Sequence, residues 1–215
     1  MITKVIRISP HTLEKSKIQK IVRILRRDGV MVYPTETFYG LGANGFSEKA
    51  IRKVFFLKKR DSSKPLPVVI SDFAMLRQVV SGDISSLQRQ ISGFWPGPLT
   101  VILKASSSVP NGLCSEDGTI GVRLTEYSWV RNLVHQAGFP VTATSANLSG
   151  EKPISDPKEA RELFEGEIDL FVDGGETKGL LPSTVVDLSG GKPRLVREGA
   201  IPFVRLEKQW RDIIL

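Results

Sequence analysis

Residues 30–42, Val30-Met-Val-Tyr-Pro-Thr-Glu-Thr-Phe-Tyr-Gly-Leu-Gly42, decide how the rest of the chain is read. Four apolar residues stopped by Pro34 have the pattern of a buried strand. Thr35, Glu36 and Thr37 stand at its C-terminal end, where open α/β sheets usually bind ligands. Upstream, Leu13, Ile18, Ile21, Val22 and Leu25 recur mostly three or four apart until Gly29, which predicts an amphipathic helix over 12–28. Downstream, Ser47 is a suitable N-cap for a second helix, with Glu48 in its first turn and Ile51, Val54 and Phe55 on one face.

The alternation continues outward. Strands are predicted over 66–70, 99–104, 120–124, 140–144, 168–172, 183–188 and 194–197. Helices are predicted over 73–80 behind an Asp72 cap, 83–94, 126–137, 156–164, and from Phe203 to the end. Trp95-Pro-Gly-Pro98 cannot continue a helix. The Gly-rich breaks at 110–118 and 174–182 read as loops rather than domain joints. Short strands interleaved with helices predict an α/β protein, a single domain over 1–215 with a twisted mixed β-sheet flanked by helices.

Composition narrows the function classes. At 215 residues and 40% hydrophobic, the chain can build a full core, and its longest apolar runs fall far short of a bilayer span. A lone cysteine, Cys114, forms neither an intrachain disulfide nor a thiolate cluster. The first residues carry no apolar leader stretch, so a cytoplasmic protein is expected. Lys and Arg exceed acids by 30 to 23, a charge of +7 that favours polyanionic ligands. His11 and His135 lie in no metal-ligand spacing, and the latter suits a helix C-terminus. There is no G-x-S-x-G elbow, H-E-x-x-H pair or Walker phosphate loop. Chemistry here would rest on positioning and charge neutralisation.

Several polar clusters sit at predicted element ends. The Thr35–Thr37 stretch is either a ligand site or a turn whose hydroxyls satisfy loop amides. Lys58-Lys-Arg60 either complements a helix dipole or, if the helix ends near Leu57, aims Lys58 and Arg60 along one face at a single anion, with Lys64 nearby. On the second account, alanine at Lys58 or Arg60 lowers turnover strongly and hardly moves the melting temperature. Ser145 and Asn147, also two apart, offer a hydroxyl and an amide from one side, or form a turn. Arg123 is a charge inside an apolar strand, at an edge or paired, with a ligand carboxylate one candidate partner. Ser183 and Arg197 sit at further strand margins.

Taken in order, Pro34-Thr-Glu-Thr-Phe-Tyr-Gly-Leu-Gly42, Lys58-x-Arg60, Lys64-Pro-Leu66, Trp95-Pro-Gly-Pro-Leu-Thr100, Gly121-Val-Arg123, Thr144-Ser-Ala-Asn-Leu-Ser-Gly150, Pro182-Ser-Thr-Val185 and Leu195-Val-Arg-Glu-Gly199 resemble the YrdC family of L-threonylcarbamoyladenylate synthases, over roughly residues 12–200. The resemblance implies a YrdC-like fold with an open basic cleft. It implies synthesis of threonylcarbamoyl-AMP and pyrophosphate from L-threonine, bicarbonate and ATP, for threonylcarbamoyladenosine beside the tRNA anticodon. Lys58, Arg60, Ser145 and Asn147 match the family's K-x-R and S-x-N set around the nucleotide, assisted by Lys64, Thr119 and Arg197. Arg123 would meet the threonine carboxylate, with Ser183 and either Thr35 or Thr37 holding the rest. Val69 departs from a histidine of longer relatives, so another group must serve there. Mg²⁺ would accompany ATP, although no carboxylate cluster dictates it. Implied partners are tRNA and the proteins of a threonylcarbamoyl transferase complex. A double-stranded RNA or tRNA-binding module is the alternative. A carbamoyl-transfer domain is disfavoured, because acylphosphatase and zinc-finger segments are missing.

Overall fold

The computed structural model describes residues 2–9, 14–190 and 192–214. His11 and Leu13 therefore lie outside the described residues, and the first helix is described from Lys15. The elements run β1 (Lys4–Arg7), α1 (Lys15–Leu25), β2 (Met31–Pro34), β3 (Tyr39–Gly42), α2 (Glu48–Lys58), β4 (Val68–Val69), α3 (Phe73–Val79) and α4 (Ile84–Ile91). There follow β5 (Leu99–Lys104), β6 (Thr119–Arg123), α5 (Ser128–Ala137), β7 (Val141–Thr142), β8 (Thr144–Ser145), α6 (Pro157–Phe164), β9 (Leu170–Asp173), β10 (Thr184–Asp187), β11 (Arg194–Arg197) and α7 (Phe203–Ile214).

The mixed α/β architecture agrees with the sequence reading, but the strands form two sheets instead of one. Five strands run in the order β1-β9-β2-β3-β8, and six in the order β11-β10-β5-β6-β4-β7. Both mix parallel and antiparallel pairs. The expected strand 140–144 is divided, and that division explains the two sheets. Val141 and Thr142 pair with β4, whereas Thr144 and Ser145 pair with β3. Between them the Ala143 amide donates to the Pro67 carbonyl. One stretch of chain thus serves both sheets and ties their edges together.

Two strands escaped the sequence reading. In β1 the exposed Lys4 and Arg7 mask a parallel pairing with β9. In β3 the two glycines read as loop, yet Gly42 is sterically required and Gly40 leaves little room for a side chain. A Cβ on Gly42 would lie 2.8 Å from the Tyr33 ring and from the Met31 methyl. Gly40 faces Tyr33 directly in the β2–β3 register. The glycines let the buried Tyr33 ring lie against the strand. Helices came closer to expectation: Ser47 and Asp72 cap α2 and α3 by accepting from Ala50 and Met75 amides. Helix α1 buries Ile18, Ile21, Val22 and Leu25, and packs on α5. No helix among the described residues is long and apolar enough to cross a membrane.

Candidate active site

A cavity of about 510 Å³ lies between the two sheets, within the usual range for small-molecule sites. Sheet one contributes Tyr33, the Thr35–Phe38 turn, Gly40, Thr144 and Ser145. Sheet two contributes Val69, Thr100, Thr119, Gly121, Arg123 and Ser183. Arg60, Lys64 and Arg197 complete its cationic lining, against a single carboxylate, Glu36. The lining is thus net cationic over an otherwise hydroxyl-rich and apolar wall, as an anionic ligand requires.

The turn after β2 is built on Thr35. Its hydroxyl donates to the Phe38 carbonyl at 2.7 Å and accepts from the Thr37 and Phe38 amides. That leaves it little capacity for a ligand. The Thr37 hydroxyl meets only Thr35 Oγ1, at 3.0 Å, and is the better placed of the two to face the cavity.

Lys58 and Arg60 do not converge as predicted. Helix α2 continues through Lys58, and Lys59 then takes the left-handed conformation with φ 49°. Only Arg60 of the two then lines the cavity. Arg60 leaves the helix along the cavity wall, donating to the Lys64 and Pro65 carbonyls at 2.8 and 3.2 Å. Lys58 points inward and is only 1% exposed. Its ammonium donates to the Ser145 carbonyl at 2.5 Å, the Asn147 carbonyl at 2.8 Å and Asn147 Oδ1 at 3.2 Å. Burial first, and the Arg60 charge second, push its pKa down to about 8.

Asn147 is likewise turned inward. Its amide nitrogen donates to the Leu148 and Glu151 carbonyls, and its Oδ1 accepts from the Ser145 hydroxyl. Of the K-x-R and S-x-N set, Arg60 and Ser145 line the cavity, while Lys58 and Asn147 stand behind its wall and shape it. The expectation that alanine at Lys58 leaves stability unchanged does not survive this burial.

On sheet two, Arg123 ends β6 and is 8% exposed. Its Nε donates to the Gly97 carbonyl at 3.3 Å. Its Nη2 lies 2.8 Å from Glu36 Oε1 in an ion pair but makes no aligned hydrogen bond. That ion pair commits Nη2 to Glu36, so a bound carboxylate would meet the guanidinium along the rest of its fork. Arg197 donates to the Ser183 carbonyl at 2.9 Å, and the Ser183 hydroxyl meets that of Thr100 at 2.9 Å. Partial burial and the charge of Arg123 both lower the Arg197 pKa. Thr119 shares a 2.7 Å hydroxyl contact with Ser115. Lys64 lies exposed at the cavity margin.

Every other predicted site residue, namely Thr35, Thr37, Lys64, Thr119, Arg123, Ser183 and Arg197, lines this one cavity. Sequence reasoning missed Thr100 and Ser115 as lining residues. Thr100 closes the Trp95-Pro-Gly-Pro-Leu-Thr100 motif, whereas Ser115 lies in a loop with no signal of its own. Val69 also lines the cavity, opposite Arg123 in the β4–β6 register. Outside the cavity, His135 stands 3.5 Å from Asp72, the α3 cap. Among the described residues no group of three or more His, Cys, Asp or Glu could hold a metal ion.

Residues 23–199 match the Sua5/YciO/YrdC family, described as telomere recombination. A threonylcarbamoyl-AMP synthase from Pyrococcus abyssi is 34% identical over 91% of the chain, which spans 58% of that longer protein. One from Chromobacterium violaceum is also 34% identical, over 84% of the chain and 93% of the relative. Among solved structures, P. abyssi Sua5 complexed with L-threonine superposes with a TM-score of 0.89 at 33% identity, over 97% of this chain and 61% of that one. E. coli YciO gives 0.84 at 30% identity, over 94% and 98%. By sequence match and by superposition alike, this chain belongs to the Sua5/YciO/YrdC family.

Proposed function

We propose that the chain is a threonylcarbamoyl-AMP synthase. The observation that carries this reading is Arg123, a nearly buried guanidinium lining a cavity whose other cations are Arg60, Lys64 and Arg197. One buried arginine suits an amino-acid carboxylate, and three more accessible cations suit a triphosphate. The P. abyssi relative named for this reaction, and the structure complexed with L-threonine, support the same assignment.

In this reading the threonine carboxylate meets Arg123, and Thr37 and Ser183 hold the rest of the amino acid. Its amine, having lost a proton, attacks the carbon supplied by bicarbonate, and water leaves as the carbamate forms. A carbamate oxygen then attacks the α-phosphorus of ATP. The bond from that phosphorus to the bridging oxygen breaks, and pyrophosphate departs with the electron pair. Arg60, Lys64 and Arg197 neutralise the growing charge, while Ser145 and Thr119 position the nucleotide. Lys58 and Asn147 hold Ser145 in place. Among the described residues no carboxylate set stands ready for Mg²⁺, and the ion would arrive on the phosphates of ATP.

The product would pass to a transferase acting on tRNA. A module that only binds RNA would have no use for an arginine 8% exposed and paired with a buried carboxylate. The direct test is pyrophosphate release with each substrate omitted in turn. Release is expected only when ATP, threonine and bicarbonate are all present. Equal release without threonine would exclude the reaction.

A further inference from the structure

Glu36 is the one acidic side chain in the cavity lining, and the mechanism above gives it no task. It sits at the tip of the β2–β3 turn in sheet one, yet all its partners belong to sheet two or the segment that follows β6. Its Oε2 accepts from the Thr125 hydroxyl at 2.5 Å. Its Oε1 accepts from the Glu126 amide at 3.2 Å and lies 2.8 Å from Arg123 Nη2. The carboxylate is 2% exposed, so its oxygens are taken up almost wholly by these partners. The Thr125 hydroxyl holds one oxygen, and the Glu126 amide and Arg123 meet at the other. Thr125 and Glu126 are themselves braced, because Arg131 donates to both of their carbonyls at 2.7 and 2.8 Å.

Arg123 also needs an internal counter-charge. It is nearly buried, and its field reaches Arg197 strongly enough to lower that guanidinium's pKa. Two like charges facing one empty cavity would push each other toward solvent. A carboxylate behind Arg123 offsets that repulsion and fixes the plane of its fork. Planar, bidentate recognition of a carboxylate depends on that plane.

We infer that Glu36 is the positioning residue that aims Arg123 at the amino-acid carboxylate, so that affinity for the amino acid depends on a side chain that never touches it. The inference rests on the proposed synthase reading and deepens it.

Glu36→Gln keeps one oxygen for the Glu126 amide and Arg123, sets its NH2 against the Thr125 hydroxyl, and removes the negative charge. The expected result is a rise in KM for threonine of about ten- to a hundredfold, with KM for ATP within about twofold of the parent. The preference for threonine over threoninamide, which lacks the carboxylate charge, should shrink in parallel. A purely structural role would instead weaken both substrates alike and leave that preference intact, and this outcome overturns the inference. Unchanged kinetics for threonine would overturn it too. Should Glu36→Gln not fold, Glu36→Asp keeps the charge but draws it back, and the same selective rise in threonine KM is expected at smaller size. A parent protein that turns over ATP independently of threonine would defeat the synthase reading itself. A threonine-dependent parent with no selective change in the variants would defeat only the role given to Glu36.

Discussion

Lys58→Ala lowers the melting temperature by roughly 6–20 °C and abolishes most pyrophosphate release. The substitution removes a buried four-carbon stem and leaves three oxygens, on Ser145 and Asn147, without their shared donor. Cavity formation and buried unsatisfied acceptors together cost about 3–5 kcal/mol, and in a protein of this size each kcal/mol shifts melting by about 2–4 °C. Activity falls for a separate reason, since Ser145 lines the cavity and is held there through Lys58. Arg60→Ala is the contrast: it loses two carbonyl contacts at a partly exposed site, so melting moves little while turnover drops. Thermal melts of the two variants side by side decide the matter. Equal, small shifts would put Lys58 on the surface.

The same residue sets a pH dependence whose sign separates activity from folding. With the folded pKa near 8, the bridging ammonium is lost as pH rises through that value, and pyrophosphate release should fall there. The unfolded chain holds its proton to the ordinary lysine value of 10.5 and so binds more protons between the two values. This group's own contribution to stability therefore increases with pH across that window. An alkaline loss of turnover accompanied by a matching loss of fold would contradict the assignment.

Lys58 also marks the limit of what the sequence could tell. Its type and spacing were legible, and so was the company it keeps with Ser145 and Asn147. Its direction was not, because that hangs on one backbone conformation at Lys59. A residue with a Cβ in the left-handed region gives no signal that glycine would give. Long elements were legible for a simple reason: α1 and α5 repeat apolar residues over several turns, and α2 and α3 begin at the caps Ser47 and Asp72. Two-residue strands such as β4, β7 and β8 hold no periodicity of their own. Their sheet membership is decided by partners more than 50 residues away in sequence. Glu36 was visible as a carboxylate at a strand end, but only the pairing of the two sheets shows that it meets Arg123.

Arg123→Met should produce the other large effect, and a double variant makes it interpretable. Removing the guanidinium leaves the Glu36 carboxylate buried without a counter-charge, at a cost of about 3–5 kcal/mol. Methionine fills much of the space, so the loss is chiefly electrostatic. Pairing it with Glu36→Gln removes the stranded charge while keeping an oxygen for the Glu126 amide and an NH2 that can donate to the Thr125 hydroxyl. The double variant should therefore regain a large part of the lost stability. Threonine-dependent pyrophosphate release should stay as low as in the single variant, because no group remains to receive the carboxylate. Arg123→Lys adds a third point: it keeps a charge but not the fork, so it should keep more stability than methionine while still binding threonine poorly. Melting curves and threonine titrations on the parent and these variants supply the whole comparison. Additive losses in the double variant would mean that Glu36 and Arg123 do not act on each other, and retained threonine dependence in Arg123→Met would mean that the carboxylate is recognised elsewhere in the cavity.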